Sequence, residues 1–162
     1  MESLALNKKG DKLLYQDKKG YEDPWRKHHQ SSITRDIWLC TLDREHSFQK
    51  ITSFKGEDRN PVWATDGSSF YYLSEEKGSF NIFKNDLTGR NSRQITNHTM
   101  HPVRFLTSDN NGNLCYGYDG EIYTVKEGTQ PKKVDVQIIS DKVENDLIHQ
   151  LKASGATDIA VS

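Results

Sequence analysis

Two adjacent imidazoles, His28 and His29, followed by Ser31 and Ser32 and then by Asp36 and His46, come nearest to a hydrolytic or metal-binding set in this 162-residue chain. A hydrolytic triad needs one hydroxyl on a rigid turn, hydrogen-bonded to a base that a third group orients, and nothing in these residues marks one serine over the other. No GxSxG elbow, HExxH helix, P-loop or GxGxxG loop is present to supply the missing context. The histidine pair fares no better as a metal site, because neighbours along a strand point apart and no third ligand stands at a working spacing. Asp109, Asn111 and Asn113 alternate like the oxygen ligands of a calcium loop. The bidentate glutamate and flanking helices of such a loop are missing, and Asn111-Gly112 is read as a hairpin turn. Cys40 and Cys115 have no CxxC spacing and fall on candidate strands, where they read as small buried hydrophobes. No catalytic residue, metal or cofactor is therefore expected.

The segment Asp17 to Arg35 is polar and follows neither hydrophobic period, so it is a long connection. Within it Tyr21, Trp25, Arg26, His28, His29 and Arg35 set aromatics and cations among small polar residues, a combination suited to holding an extended peptide or an acidic terminus. The competing reading is that Tyr21 and Trp25 pin the loop. Asp58-Arg59-Asn60-Pro61 is read as a turn between units, with Pro61 at a strand start.

The elements that carry these residues repeat. Gly56 to Leu73, GEDRNPVWATDGSSFYYL, combines an Asn-Pro step, a strand, an Asp-Gly turn and an aromatic strand. Met100 to Tyr116 follows the same plan, with Pro102-Val103 aligned on Pro61-Val62, Asn111-Gly112 on Asp66-Gly67, and Leu114, Tyr116 and Tyr118 on Phe70, Tyr72 and Ser74. Asp36-Ile37-Trp38 recurs as Asn81-Ile82-Phe83 after 45 residues and as Glu121-Ile122-Tyr123 after 40 more. A period near forty with four short alternating strands per unit predicts β-propeller blades, each stable only against a neighbour. The predicted strands are Leu4–Leu6, 13–15, 36–42 and 48–54 in the first unit, 62–65, 69–74, 81–87 and 93–96 in the second, and 103–107, 114–118, 121–125 and 132–138 in the third.

Composition agrees. Hydrophobic residues make up only 33% of the chain, but seven Tyr, six Phe and three Trp supply the volume that stacked sheets bury. A net charge of −1 gives no basic footprint for nucleic acid, and no apolar run is long enough for a membrane-spanning helix. The compartment, periplasmic or cytoplasmic, is not written in these residues. Val143, Leu147, Ile148 and Leu151 share one helical face, which predicts a helix over about 141–153, and 156–162 alternates like the first strand of a fourth blade. The expected architecture is all-β: a partial β-propeller of three four-stranded antiparallel blades, at about 3–55, 60–97 and 101–139, plus that strand and one short helix. Two uncovered blade faces would favour self-association.

GEDRNPVWATDGSSFYYLSE, GYEDPWRKHHQSSITRDIW and GATDIAVS together resemble the N-terminal propeller region of bacterial tricorn-like serine peptidases, with related repeats in TolB-like propellers. The resemblance runs from Leu4 to Ser162. It implies a non-catalytic propeller that guides or gates peptides or unfolded protein toward a catalytic domain elsewhere in a longer parent, so the partners it implies are peptides and the remaining domains. The alternative is a TolB-like protein-interaction module unrelated to proteolysis. An enzyme with its site in the central channel would need inward His or carboxylate clusters, which the inner strands do not show.

Overall fold

The computed structural model describes residues 1–21 and 32–139. Their twelve strands form three four-stranded antiparallel sheets, each a meander in chain order, with no helix among the described residues. Sheet 1 comprises β1 (Glu2–Leu6), β2 (Lys12–Gln16), β3 (Ile37–Thr41) and β4 (Ser47–Lys50). Sheet 2 comprises β5 (Asp58–Trp63), β6 (Ser69–Ser74), β7 (Asn81–Asp86) and β8 (Arg93–Gln94). Sheet 3 comprises β9 (Arg104–Ser108), β10 (Asn113–Tyr118), β11 (Glu121–Lys126) and β12 (Lys132–Lys133). The helix expected over 141–153 and the strand expected over 156–162 lie outside the described residues.

Sheet 2 is the filling of the stack, and β6 shows why its sequence is apolar without a break. Side chains alternate across a strand. Phe70 and Tyr72 join Leu14, Ile37, Leu39 and Ile51 of sheet 1, whereas Tyr71 and Leu73 join Leu114, Tyr116 and Val125 of sheet 3. β7 divides in the same way, Phe83 toward sheet 1 and Ile82 toward sheet 3. Each such side chain contributes about 1.5–3 kcal/mol when taken fully out of water. An aromatic pair recurs across the second and third strands of every sheet: Tyr15–Trp38, Tyr72–Phe83 and Tyr116–Tyr123, with ring centroids 6.5, 6.0 and 5.8 Å apart.

The start of the third strand is equivalent in all three sheets. The carbonyls of Ile37, Ile82 and Ile122 accept the N–H of Ile51, Ile95 and Val134, each at 2.8 Å. Hydroxyls of Thr52 and Thr96 accept the N–H of Ile37 and Ile82 at 2.9 and 3.0 Å. Ile37 and Ile82 are fully buried against the following sheet, and Ile122 is 45% exposed because no described residue packs beyond sheet 3.

The inner strands correct the expected alignment. Val103 N–H donates to Phe80 O as Asp58 N–H donates to Arg35 O, so Val103 corresponds to Asp58, and Val62 corresponds to Thr107. Pro61 accordingly sits inside β5 and not at its start. Each inner strand carries a bulge at the equivalent place, between Glu2 and Ala5, between Arg59 and Val62, and between Arg104 and Thr107. One non-glycine residue in each is left-handed: Ser3 at φ 50°, Asn60 at 52° and Phe105 at 57°. The Pro-Val pairs at 61–62 and 102–103 match in composition but stand four positions apart in this register. The outer strands β4, β8 and β12 are shorter than expected; they lie at sheet edges, and β4 and β12 are wholly exposed.

Candidate functional site

The hairpins joining first and second strands come together at one end of the stack, and each is held by a side chain that folds back on its own turn. Asn7 Oδ1 accepts the N–H of Asp11 and Lys12, both at 3.0 Å. Asp66 Oδ1 accepts from Ser68 and Ser69 N–H at 2.7 and 2.9 Å, and its Oδ2 from the Ser69 hydroxyl at 2.7 Å. Asp109 accepts Asn111 and Asn113 N–H at 2.8 Å each and the Asn113 amide at 2.6 Å. The oxygen-rich run around Asp109 is therefore the third copy of a turn, and no group of three or more His, Cys, Asp or Glu suited to a metal exists among the described residues. Burial works against ionisation of Asp66, but its hydrogen bonds prevail and hold it at about 2. The amide and N–H groups of its turn likewise keep Asp109 below the usual carboxylate range.

Between these hairpins lies a hollow of about 580 Å³ lined by the ends of β1, β5 and β9. Its floor is apolar, from Leu6, Val62, Trp63 and Ala64, and its rim on the sheet 1 side carries Lys8, Lys9 and Lys12. The three sheets are stitched beneath it. Trp63 Nε1–H donates to Ala5 O at 2.8 Å, and the Ser108 hydroxyl donates to Trp63 O at 3.4 Å. The indole is thus fixed by its polar edge in the lining of the hollow, an arrangement suited to packing against a segment of chain.

The six residues singled out in the loop are not seen as one group. Trp25, Arg26, His28 and His29 lie outside the described residues. Tyr21 is 88% exposed. Arg35 is buried at the joint between sheets 1 and 2, where its guanidinium donates to Glu57 at 2.6 Å and to Glu2 at 3.3 Å. Burial disfavours its charge, but these carboxylates outweigh that and raise its pKa further. Asp36 is likewise committed, to Lys19 at 2.6 Å and Lys50 at 2.8 Å, and no hydrogen bond joins it to Ser32 or His46. Cys40 is buried as expected, and Cys115 only half so, on the outer face of sheet 3.

Leu6, Trp63 and the three lysines escaped notice in the sequence because none stands out alone. Superposing the repeats on their glycine turns, Gly10, Gly67 and Gly112, all with positive φ, brings them to one end.

The family described as "Tricorn protease N-terminal beta propeller domain" matches residues 1–131. A tricorn protease homolog of Saccharolobus solfataricus is 27% identical over 126 residues, covering 76% of this chain and 11% of that protein. Among solved structures, the tricorn protease matches with TM-score 0.68 at 21% identity, over 83% of this chain and 13% of its own. A putative TolB from Agrobacterium tumefaciens matches with TM-score 0.63 at 17% identity, over 80% of this chain and 47% of its own. The chain thus spans about a tenth of the length of the curated relative.

Proposed function

The chain belongs to the tricorn protease N-terminal β-propeller family, and from that premise we propose that it is a non-catalytic part of a larger serine peptidase that guides or gates peptides toward catalysis elsewhere. The observation that carries this is the hollow of about 580 Å³ at the hairpin end, lined by apolar side chains that include a fixed indole. No described serine or cysteine is hydrogen-bonded to a histidine, and the hydroxyls of Ser69 and Thr88 that meet Asp66 and Asp86 belong to turns. Tyr21, exposed and not among the residues that line the hollow, is a second candidate contact for peptide.

The purified chain is expected to bind unfolded peptides weakly and to leave casein and fluorogenic peptides intact. Turnover that co-purifies with the chain through several unrelated columns would sink the non-catalytic assignment.

A second reading has its own support. Likeness to a TolB over 47% of that chain fits a propeller that docks protein partners with no link to proteolysis. On the outer face of sheet 3, Phe105 and Ile122 are 68% and 45% exposed, a surface on which another sheet, including one from a second copy, would pack. Sedimentation across a concentration series separates a self-associating chain from a monomer.

A further inference from the structure

We propose that the hollow at the hairpin end selects acidic peptide segments: side-chain carboxylates toward Lys8, Lys9 and Lys12, intervening apolar side chains on Leu6, Val62 and Trp63. The inference rests on the peptide-guiding reading and adds to it a chemical preference and an orientation.

The charges around the hollow are not equivalent, although three lysines face three aspartates in the lining. The carboxylates of Asp66 and Asp109 are turned into their own hairpins, where N–H groups, a hydroxyl and an amide occupy their oxygens. Asp66 also has Lys84 at 3.7 Å. Asp11 accepts the Asn7 amide at 2.6 Å. Lys8, Lys9 and Lys12, by contrast, enter no ion pair among the described residues, and all three lie on the one hairpin of sheet 1. The sheet 1 hairpin thus sets three lysines against Asp11 alone, whereas Asp66 and Asp109 stand on the other two hairpins, so the cationic excess is one-sided. Above a low-dielectric floor such a rim attracts anions more strongly than open surface does.

Shape supports the same ligand. Alternate side chains of an extended peptide point to opposite sides, about 6–7 Å apart along one side. A segment alternating acidic and apolar residues can then lay one row on the indole and the other against the lysines. The opposite wall, with Asp66 and Asp109 still ionised, repels carboxylates and so sets which way the segment faces.

The test uses three labelled peptides, acetylated and amidated so that neither terminus is charged, alternating Leu with Glu, Gln or Lys. Fluorescence anisotropy is read at low and high salt. The Glu peptide is expected to bind about tenfold more tightly than the Gln peptide at low salt, an advantage that high salt erases. Lys8→Gln/Lys9→Gln/Lys12→Gln should abolish that advantage, and Lys8→Glu/Lys9→Glu should transfer it to the Lys peptide. Lys126→Gln/Lys132→Gln, equal in net change to losing two of the three rim charges but on sheet 3, should leave it intact. Equal binding of Glu and Gln peptides, or equal loss in the sheet 3 control, overturns the charge selection while leaving peptide guidance standing. Failure of every peptide to bind overturns both.

Discussion

Asp58 should make this protein less stable at mildly alkaline pH than in mild acid, and removing its charge should abolish that difference. Its side chain is 1% exposed at the joint between sheets 1 and 2. Burial raises its pKa from 3.8 to about 7 against the opposing hydrogen bonds of Ser74 and Thr52, with Asp36 and Glu76 adding repulsion. One carboxylate oxygen has no hydrogen-bond partner within the protein. Because the folded value lies above the unfolded one, the folded state binds the proton more tightly. The contribution to stability is complete below about pH 3.8 and is lost as pH rises through about 7. The full span corresponds to about 4 kcal/mol, an upper bound for one group. Asp58→Asn keeps the shape and cannot ionise. Urea midpoints of variant and wild type should agree closely at pH 4 and diverge by pH 8, with the variant the more stable by a midpoint shift on the order of 1–3 M. Taking the difference between the two proteins cancels the opposite pH dependence of Glu2, Asp66 and Asp109, whose pKa values are lowered by their hydrogen bonds. A variant no more stable than wild type at pH 8 would show that the fold holds the Asp58 carboxylate at no cost relative to water and that the reasoning from burial is wrong.

Four further substitutions probe the packing and the turns. Tyr72→Ala removes an aromatic that is 2% exposed between sheets 1 and 2, and should cost about 3–5 kcal/mol by denaturant unfolding, with amide exchange rising first in β2 and β3. Thr96→Val deletes the hydroxyl that accepts Ile82 N–H and donates to Asn81 Oδ1 at 2.9 Å, and should cost about 1–3 kcal/mol, readable in the same assay. Gly89→Ala should be far more damaging than Gly67→Ala. Both have positive φ, at 77° and 65°, but a methyl at 89 would collide with Ile51 O whereas one at 67 meets open space. Thermal melts of the pair should therefore separate, with Gly67→Ala costing about 1–2 kcal/mol from its left-handed backbone alone and Gly89→Ala clearly more.

The middle strands were legible because both of their periods survive in the sequence. β6 and β7 of the sandwiched sheet are apolar on two faces, and the Ile of each third strand marks a position whose carbonyl makes the same bond three times. The first strands were misaligned for a local reason. Pro102-Val103 repeats the dipeptide Pro61-Val62 and so matched it by composition, whereas the bulges put Asn60 in register with Phe105 and Val62 with Thr107. Arg59, read with its neighbours as part of a turn, lies inside β5, with its guanidinium 4.2 Å from the centroid of the Phe80 ring. Arg35 was read as a surface cation from its polar neighbours. Its partners Glu57 and Glu2 are distant in sequence, and only the joint of two sheets brings them together. The hollow was invisible for the same reason, since its floor and rim come from three repeats.

The kinks at Ser3, Asn60 and Phe105 also bear on what an unfolded guest experiences beside the inner edges. A straight edge invites any loose polypeptide to zip on through its main chain, whatever its side chains, and to stay. Here such a guest meets a corner after two or three residues, on every inner strand, and cannot lengthen its ladder. Pairing through the main chain is thereby kept short, and a stack rich in β structure offers no straight inner edge on which a fibril could start.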